Sequence, residues 1–224
     1  MLNRAARYFP ILREMRRAIG IRKDSRVLEV GSGSIGLGEF YPCQFVGCDV
    51  NFVEPPRAPM LAVKCSGSCL PFADGSFDVV VVSDVMEHVL PEWRERVIQE
   101  SLRVSRRLAV IGFPSGTAAF DADRRLREDY LRGKLQPPVW LDEHMMYPFP
   151  GRDLFSRLPI GWSVEELPNE SVSFHYRMMR MEMYRQLDYL FRFALRAFPG
   201  MIEWLLRWTE GEPSYRLIFV LCRR

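Results

Sequence analysis

The stretch Val27-Leu28-Glu29-Val30-Gly31-Ser32-Gly33-Ser34-Ile35-Gly36 constrains this chain more than any other. It reads as a buried strand that breaks into a glycine-rich turn and then starts a helix. Gly31 and Gly33 lack a Cβ, so they tolerate positive φ and let a flat or anionic group lie against the main chain. A second apolar run, Phe45-Val46-Gly47-Cys48-Asp49-Val50, reads as the next parallel strand. It ends in a carboxylate about 20 residues after the first glycine, the spacing at which an acid meets ribose hydroxyls. Together the two runs point to a nucleoside cofactor. Glu29 adds a constraint, because a carboxylate inside an apolar strand must meet partners such as the N–H groups of the turn.

The 224 residues, 48% of them apolar, suffice for one large core, and no second domain is expected. The longest uncharged run, Leu108 to Phe120, is broken by Gly, Pro and Ser and falls well short of the roughly 20 apolar residues that span a bilayer. Arginines are spread through the first 20 residues, so no uncharged secretory core is present there, and a cytoplasmic location is expected. The net charge of +3 gives no case for nucleic-acid binding. The charge is uneven, however: residues 1–26 and 175–224 are basic and the middle is acidic. Solvated helix faces explain this simply, and anionic partners at the ends are the other reading. Cys43, Cys48, Cys65 and Cys69 lack the short knuckle of a zinc site, and the three histidines lie elsewhere. They read as small core or loop residues, and no metal ligand is assigned.

Periodicity alternates between helices and apolar strands, the pattern of an α/β sheet covered on both faces. Helices are expected at Arg4 to Gly20, Pro91 to Val104 and Thr117 to Gly133, with a short one at Gly151 to Leu158. Further strands are expected at Phe77 to Ser83, Leu108 to Phe113, Trp162 to Leu167 and Tyr215 to Cys222. The run Val79-Val80-Val81-Val82 marks a central strand buried on both faces. Val53 to Met60 is proline-rich and reads as a loop. His175 to Trp208 is helical, broken at Pro199-Gly200.

In this order the pieces resemble class I S-adenosylmethionine-dependent methyltransferases, most nearly the type 11 methyltransferase domain. The resemblance is carried by Val27 to Gly33, by Gly47-Cys48-Asp49, by Leu70-Pro71-Phe72-Ala73-Asp74-Gly75-Ser76-Phe77-Asp78-Val79-Val80 and by Val85-Met86-Glu87-His88-Val89. It covers roughly Leu12 to Pro114, with Asp142-Glu143-His144 as a weaker echo. It implies a Rossmann-like, doubly wound, mostly parallel sheet with helices on both faces and a helical insertion before the last strand. It implies one unit over 1–224: a basic helix over 1–26, a cofactor-binding half over 27–114, and an acceptor-side half over 115–224 with the insertion at 175–208.

The resemblance places S-adenosyl-L-methionine against Glu29, Gly31, Ser32, Gly33, Asp49, Val50, Ser66, Gly67, Ser68 and Ser83. Asp49 would accept from both ribose hydroxyls, and Glu29 would shape the glycine loop or meet the cofactor's amino group. Ser66 stands where the family commonly has an aspartate toward the adenine amino group, and Gly67 would offer its N–H to the ring. Ser83 would sit under the sulfur side. Ile35 stands where a third glycine is common, and Gly36 follows it.

Methyl transfer from a sulfonium needs alignment and exclusion of water more than a base. For a hydroxyl acceptor, His88 and then His144 are the candidate catalytic bases; Glu87 reads as holding a backbone N–H at the next helix. The expected acceptor is a small molecule, a sugar or a lipid-linked molecule. Residues 1–20 and 175–208 are candidates for peripheral membrane contact, and the arginines at 177, 180, 185, 192 and 196 punctuate an apolar arc. Helix packing, a roof over the acceptor and a dimer face are the other readings of the insertion. A non-catalytic S-adenosylmethionine-binding module is the alternative function, followed by an NAD-dependent dehydrogenase, against which the two downstream motifs argue.

Overall fold

A computed structural model describes residues 2–183, 197 and 199–224. Its centre follows from two short apolar runs. Strand β1 (Val27–Val30) is buried at every position, and the strand Phe77–Ser83 at every position but Asp78. They lie side by side in parallel, with Val27 against Val79. Alternation along Phe77–Ser83 assigns the covering helices. Val79 and Val81 pack with Tyr8, Ile11, Leu12 and Met15 of α1 (Leu2–Ile19). Val80 and Val82 pack with Val97, Ile98 and Leu102 of α2 (Pro91–Val104), on the other face.

The whole sheet comprises β1, β2 (Phe45–Asp49), β3 (Met60–Lys64), β4 (Phe77–Ser83), β5 (Ser105–Pro114), β6 (Trp162–Ser171) and β7 (Ser214–Arg223), in the order β3-β2-β1-β4-β5-β7-β6. The strands from β3 to β5 run parallel, and β7 is antiparallel to both of its neighbours. This is the doubly wound, mostly parallel, Rossmann-like sheet that the pattern implies. Helices α3 (Gly116–Arg132), α4 (Val139–Glu143), α5 (Val172–Glu182) and α6 (Pro199–Arg207) fall between β5 and β7 in the chain. None of the described helices is long and apolar enough to cross a membrane.

Several boundaries differ from the sequence reading. The expected loop ends at Met60, which opens β3; this edge strand buries only Met60 and therefore shows no apolar run. The short helix α4 carries no sequence signal of its own, and Gly151 to Leu158 tightens to a 3₁₀ turn over Arg152–Phe155. The helix expected from His175 starts at Val172, where Ser171 Oγ accepts the Phe174 N–H at 3.3 Å. Pro199 and Gly200 open α6. Arg185, Arg192 and Arg196 of the expected basic arc lie outside the described residues.

Three arginines of α1 pair with acids far along the chain, Arg4 and Arg7 from partly buried positions and Arg17 at the surface. Arg4 pairs with Glu39 at 2.6 Å, Arg7 with Asp84 at 2.8 Å and Arg17 with Glu165 at 2.6 Å. The same helix braces the glycine turn from below. Glu29, 1% exposed, accepts the Tyr8 O–H at 2.8 Å and the Leu37 N–H at 2.7 Å. Arg4 donates to the Gly36 carbonyl at 3.0 Å. Gly36 has φ +50°, and a Cβ there would collide with Glu29 Oε2, which explains a glycine one place later than the resemblance leads one to expect.

On the far side, Arg216 of β7 is 1% exposed and clamps the end of β4. Its Nε and Nη2 donate to Asp84 at 2.6 and 2.8 Å, and its Nη1 donates to Glu170 at 2.9 Å and to Asn169 at 3.2 Å. Asp84 and Glu170 sit at φ 50° and 64°, a strained region for residues with side chains.

Two stability measurements follow. Burial, only partly offset by the Leu37 and Tyr8 hydrogen bonds, pushes the Glu29 carboxyl up to about 7. The folded chain then binds a proton that the unfolded chain releases near 4.5, so stability falls as pH rises from about 4.5 to about 7. Urea unfolding should show wild type losing about 2–3 kcal/mol over that window relative to Glu29→Gln, at about 1.4 kcal/mol per pK unit. Arg216→Met leaves Glu170 and Asp84 without their shared buried partner, and should lower the unfolding free energy by about 3–5 kcal/mol with an unchanged denaturant slope.

Candidate functional site

The carboxyl ends of β1, β2 and β4 open into a cleft of about 650 Å³. Gly31, one residue past β1, has φ +72°, and its N–H donates to the Cys48 carbonyl at 2.7 Å. A side chain there would run into Val85, so the glycine keeps the turn pressed against the next segment. Asp49 ends β2 and is held from both sides: Oδ2 accepts the Gly33 N–H at 2.9 Å and Oδ1 the Asn51 N–H at 3.2 Å. Each carboxylate oxygen retains a further acceptor site.

Beyond β3 the chain turns tightly, with Ser66 Oγ 2.8 Å from Ser68 Oγ and the Cys69 N–H on the Ser66 carbonyl at 3.0 Å. Gly67 lies here, where a Cβ would press on Val30. The opposite wall is apolar and comes from the approach to α2 (Val85, Val89 and Leu90) and from α2 itself (Trp93 and Val97).

Asp84 and His88 separate this cleft from a smaller cavity of about 90 Å³, which is lined almost entirely by polar side chains, among them Arg7, Glu87, His144, His175 and Arg216. The charges around it are ordered in a chain. Asp84 lies well below the usual carboxylate range, because Arg216 and Arg7 outweigh the effect of burial. Tyr215 donates its O–H to Asp123 at 2.9 Å, and the same Asp123 oxygen holds His144 Nδ1 at 2.7 Å. His175 stacks on Tyr215 with ring centroids 3.3 Å apart and meets Glu170 at 3.1 Å through Nδ1. Burial and the neighbouring His144 pull the His88 pKa down. Burial and Asp84 push the Glu87 carboxyl well up.

Of the residues the sequence points to, Gly31, Asp49, Val50, Ser66, Gly67, Ser68 and His88 line the cleft. Four others do not. Glu29 is turned beneath the glycine loop toward Tyr8. Ser32, 7% exposed, donates to the Gly33 carbonyl at 3.0 Å. Gly33 reaches the cleft only through its bond to Asp49. Ser83 is buried on the α1 face, since it shares the alternation of Val79 and Val81, and Asp84 takes the place expected of it. His144 borders the smaller cavity and not the cleft.

Glu87 is not the helix-end acceptor expected: neither of its oxygens has a hydrogen-bond partner elsewhere among the described residues. The sequence reading also missed Asp84, Arg7 and Arg216. For Arg216 a signal existed, because an arginine inside Tyr215 to Cys222 interrupts an otherwise apolar strand.

Comparison with known proteins agrees with this geometry. Residues 28–111 match the family described as a methyltransferase domain. An uncharacterized methyltransferase of Mycolicibacterium vanbaalenii is 32% identical over 134 residues, 53% of this chain and 50% of that protein. The chain thus spans about half the length of this relative. A solved protein of Anabaena variabilis shares the fold with a TM-score of 0.55 at 18% identity, over 94% of this chain and 96% of its own. A S-adenosylmethionine-dependent methyltransferase of Archaeoglobus fulgidus does so with a TM-score of 0.51 at 18% identity, over 96% and 93%. Residues 28–111, set in this Rossmann-like sheet, are thus similar to the methyltransferase domain, and the sheet order is that of class I S-adenosylmethionine-dependent methyltransferases.

Proposed function

We propose that this chain transfers a methyl group from S-adenosylmethionine to a small-molecule, sugar or lipid-linked acceptor. The observation that carries the reading is Asp49, a carboxylate at the end of β2 fixed by two backbone N–H groups on the wall of a cleft of about 650 Å³. That volume falls in the range of small-ligand sites. The match of residues 28–111 to the methyltransferase domain and the methyltransferase name of the mycobacterial relative support it.

The residues present fit the group. Asp49 would take the ribose hydroxyls, Ser66 and the Gly67 N–H the adenine edge, and Val89, Leu90, Trp93 and Val97 its flat apolar face. Ser66 lacks the charge assistance of a carboxylate, so the adenine contact is the weaker one. Glu29 acts from below by holding the Leu37 N–H and so the shape of the loop. When bound, S-adenosylmethionine supplies a methyl on a positively charged sulfur, already activated for displacement.

The protein's part is then to align and to dry the site. Asp84 and His88, which border both cavities, put the reacting face at the partition between them. An acceptor in the smaller cavity meets Arg7, His88 and His144, which orient its polar atoms and, for a hydroxyl, take up its proton. Trp204 of α6 and Trp208 just after it, 56% and 74% exposed, favour a lipid-linked acceptor held at a surface.

Calorimetry should show S-adenosylmethionine and S-adenosylhomocysteine binding in preference to NADH. Asp49→Ala removes two charge-assisted hydrogen bonds and should weaken that binding by about 2–4 kcal/mol, roughly 30- to 1,000-fold. Unchanged affinity in a folded variant would remove the ribose assignment, and tighter binding of NADH would remove the methyl-transfer reading.

A further inference from the structure

We infer that Glu87, His88 and His144 form a binding site for one divalent transition-metal ion of the zinc and cobalt class. Glu87 Oε1 lies 3.8 Å from His144 Nε2 and 4.0 Å from His88 Nε2. One donor atom from each of the three residues can be drawn within 4.8 Å of the others. Bonds of about 2.0–2.2 Å to a shared ion bring such atoms to roughly 3–3.5 Å of one another, a closure of about an ångström.

The second observation is Glu87 itself. Its carboxylate is 1% exposed, and neither oxygen has a hydrogen-bond partner elsewhere among the described residues. No Lys or Arg comes within ion-pair distance of it among those residues, although Arg216 and Arg7 neutralise the adjacent Asp84. A buried carboxylate left so is costly, and a cation between it and the two imidazoles satisfies it.

The imidazoles are also set up from behind. His144 Nδ1 is held by Asp123 at 2.7 Å, and His88 Nδ1 faces Glu143 at 3.0 Å. A carboxylate on Nδ1 fixes the tautomer that leaves the Nε2 lone pair free, and both Nε2 atoms are the ones near Glu87. Two imidazoles and one carboxylate suit borderline ions rather than magnesium or calcium, which prefer all-oxygen shells. Three protein ligands leave at least one position open. It faces the smaller cavity of about 90 Å³, where water or an acceptor heteroatom fits. The site stands on its own geometry and does not depend on the methyl-transfer reading.

The test needs no cofactor. Chelator-treated protein is titrated with Co²⁺ and followed by visible absorption, then challenged with Zn²⁺ and with excess Mg²⁺. Wild type should take up one Co²⁺ with ligand-field bands, which Zn²⁺ abolishes and Mg²⁺ leaves intact. Glu87→Gln should weaken uptake by more than about 100-fold, and Glu143→Gln, at the exposed second carboxylate, by about 10-fold. Should Glu87→Gln fail to fold, His88→Ala, whose side chain is 31% exposed, replaces it with the same expected loss. Absence of ligand-field bands in wild type, or unaltered uptake in a folded ligand variant, overturns the proposal. Because binding is read without S-adenosylmethionine, this outcome is separate from any failure of the methyl-transfer assignment.

Discussion

The buried ion cluster centred on Arg216 holds the functional end of this molecule in place. A guanidinium removed from water recovers its lost solvation only when its donors are filled, and here Asp84 takes two of them, with Asn169 and Glu170 sharing a third. Arg216 stands on β7, two strands away from β4, in register with Pro114 of the intervening β5. Reaching Asp84 from there ties the last strand of the chain to the residue that follows the central strand. Asp84 at φ 50° would not keep that conformation unaided, and the fork of Arg216 together with Arg7 over-determines it.

The cluster also explains how so many charges share a small volume. Acids and bases alternate from Arg7 through Asp84 and Arg216 to Glu170 and His175, and a second arm runs from Tyr215 through Asp123 to His144. Each charge faces an opposite one, so the polar wall is rigid before any ligand arrives. Glu87 is the exception in the series: neither of its oxygens has a hydrogen-bond partner elsewhere among the described residues.

How much of this was legible depended on whether the determining contacts were local. The glycine turn, Asp49 and the strand Phe77–Ser83 are written in consecutive residues, and the structure places them where the pattern implies. β3 left no trace because an edge strand with one buried residue has no periodic run to read. The choice between Ser83 and Asp84 turned on the phase of the last residue of a strand, which one position of uncertainty reverses. The basic ends of the chain were the hardest case. Composition shows a surplus of arginine but not its partners, and Arg7, Arg17 and Arg216 meet acids 77, 148 and 132 residues away. Glu170 and Asp123 were invisible for the same reason.

The segment that carries the family pattern, residues 28–111, holds the whole wall of the larger cleft except Glu143, yet none of the groups that hold it from outside. Tyr8 comes from before it, and Arg7 and Arg216 from both sides of it. Cut free, that segment would keep Glu29 and Asp84 with their counter-groups gone. Modular exchange of this half between related chains therefore transplants a binding surface without its scaffold, unless α1 and β7 travel with it.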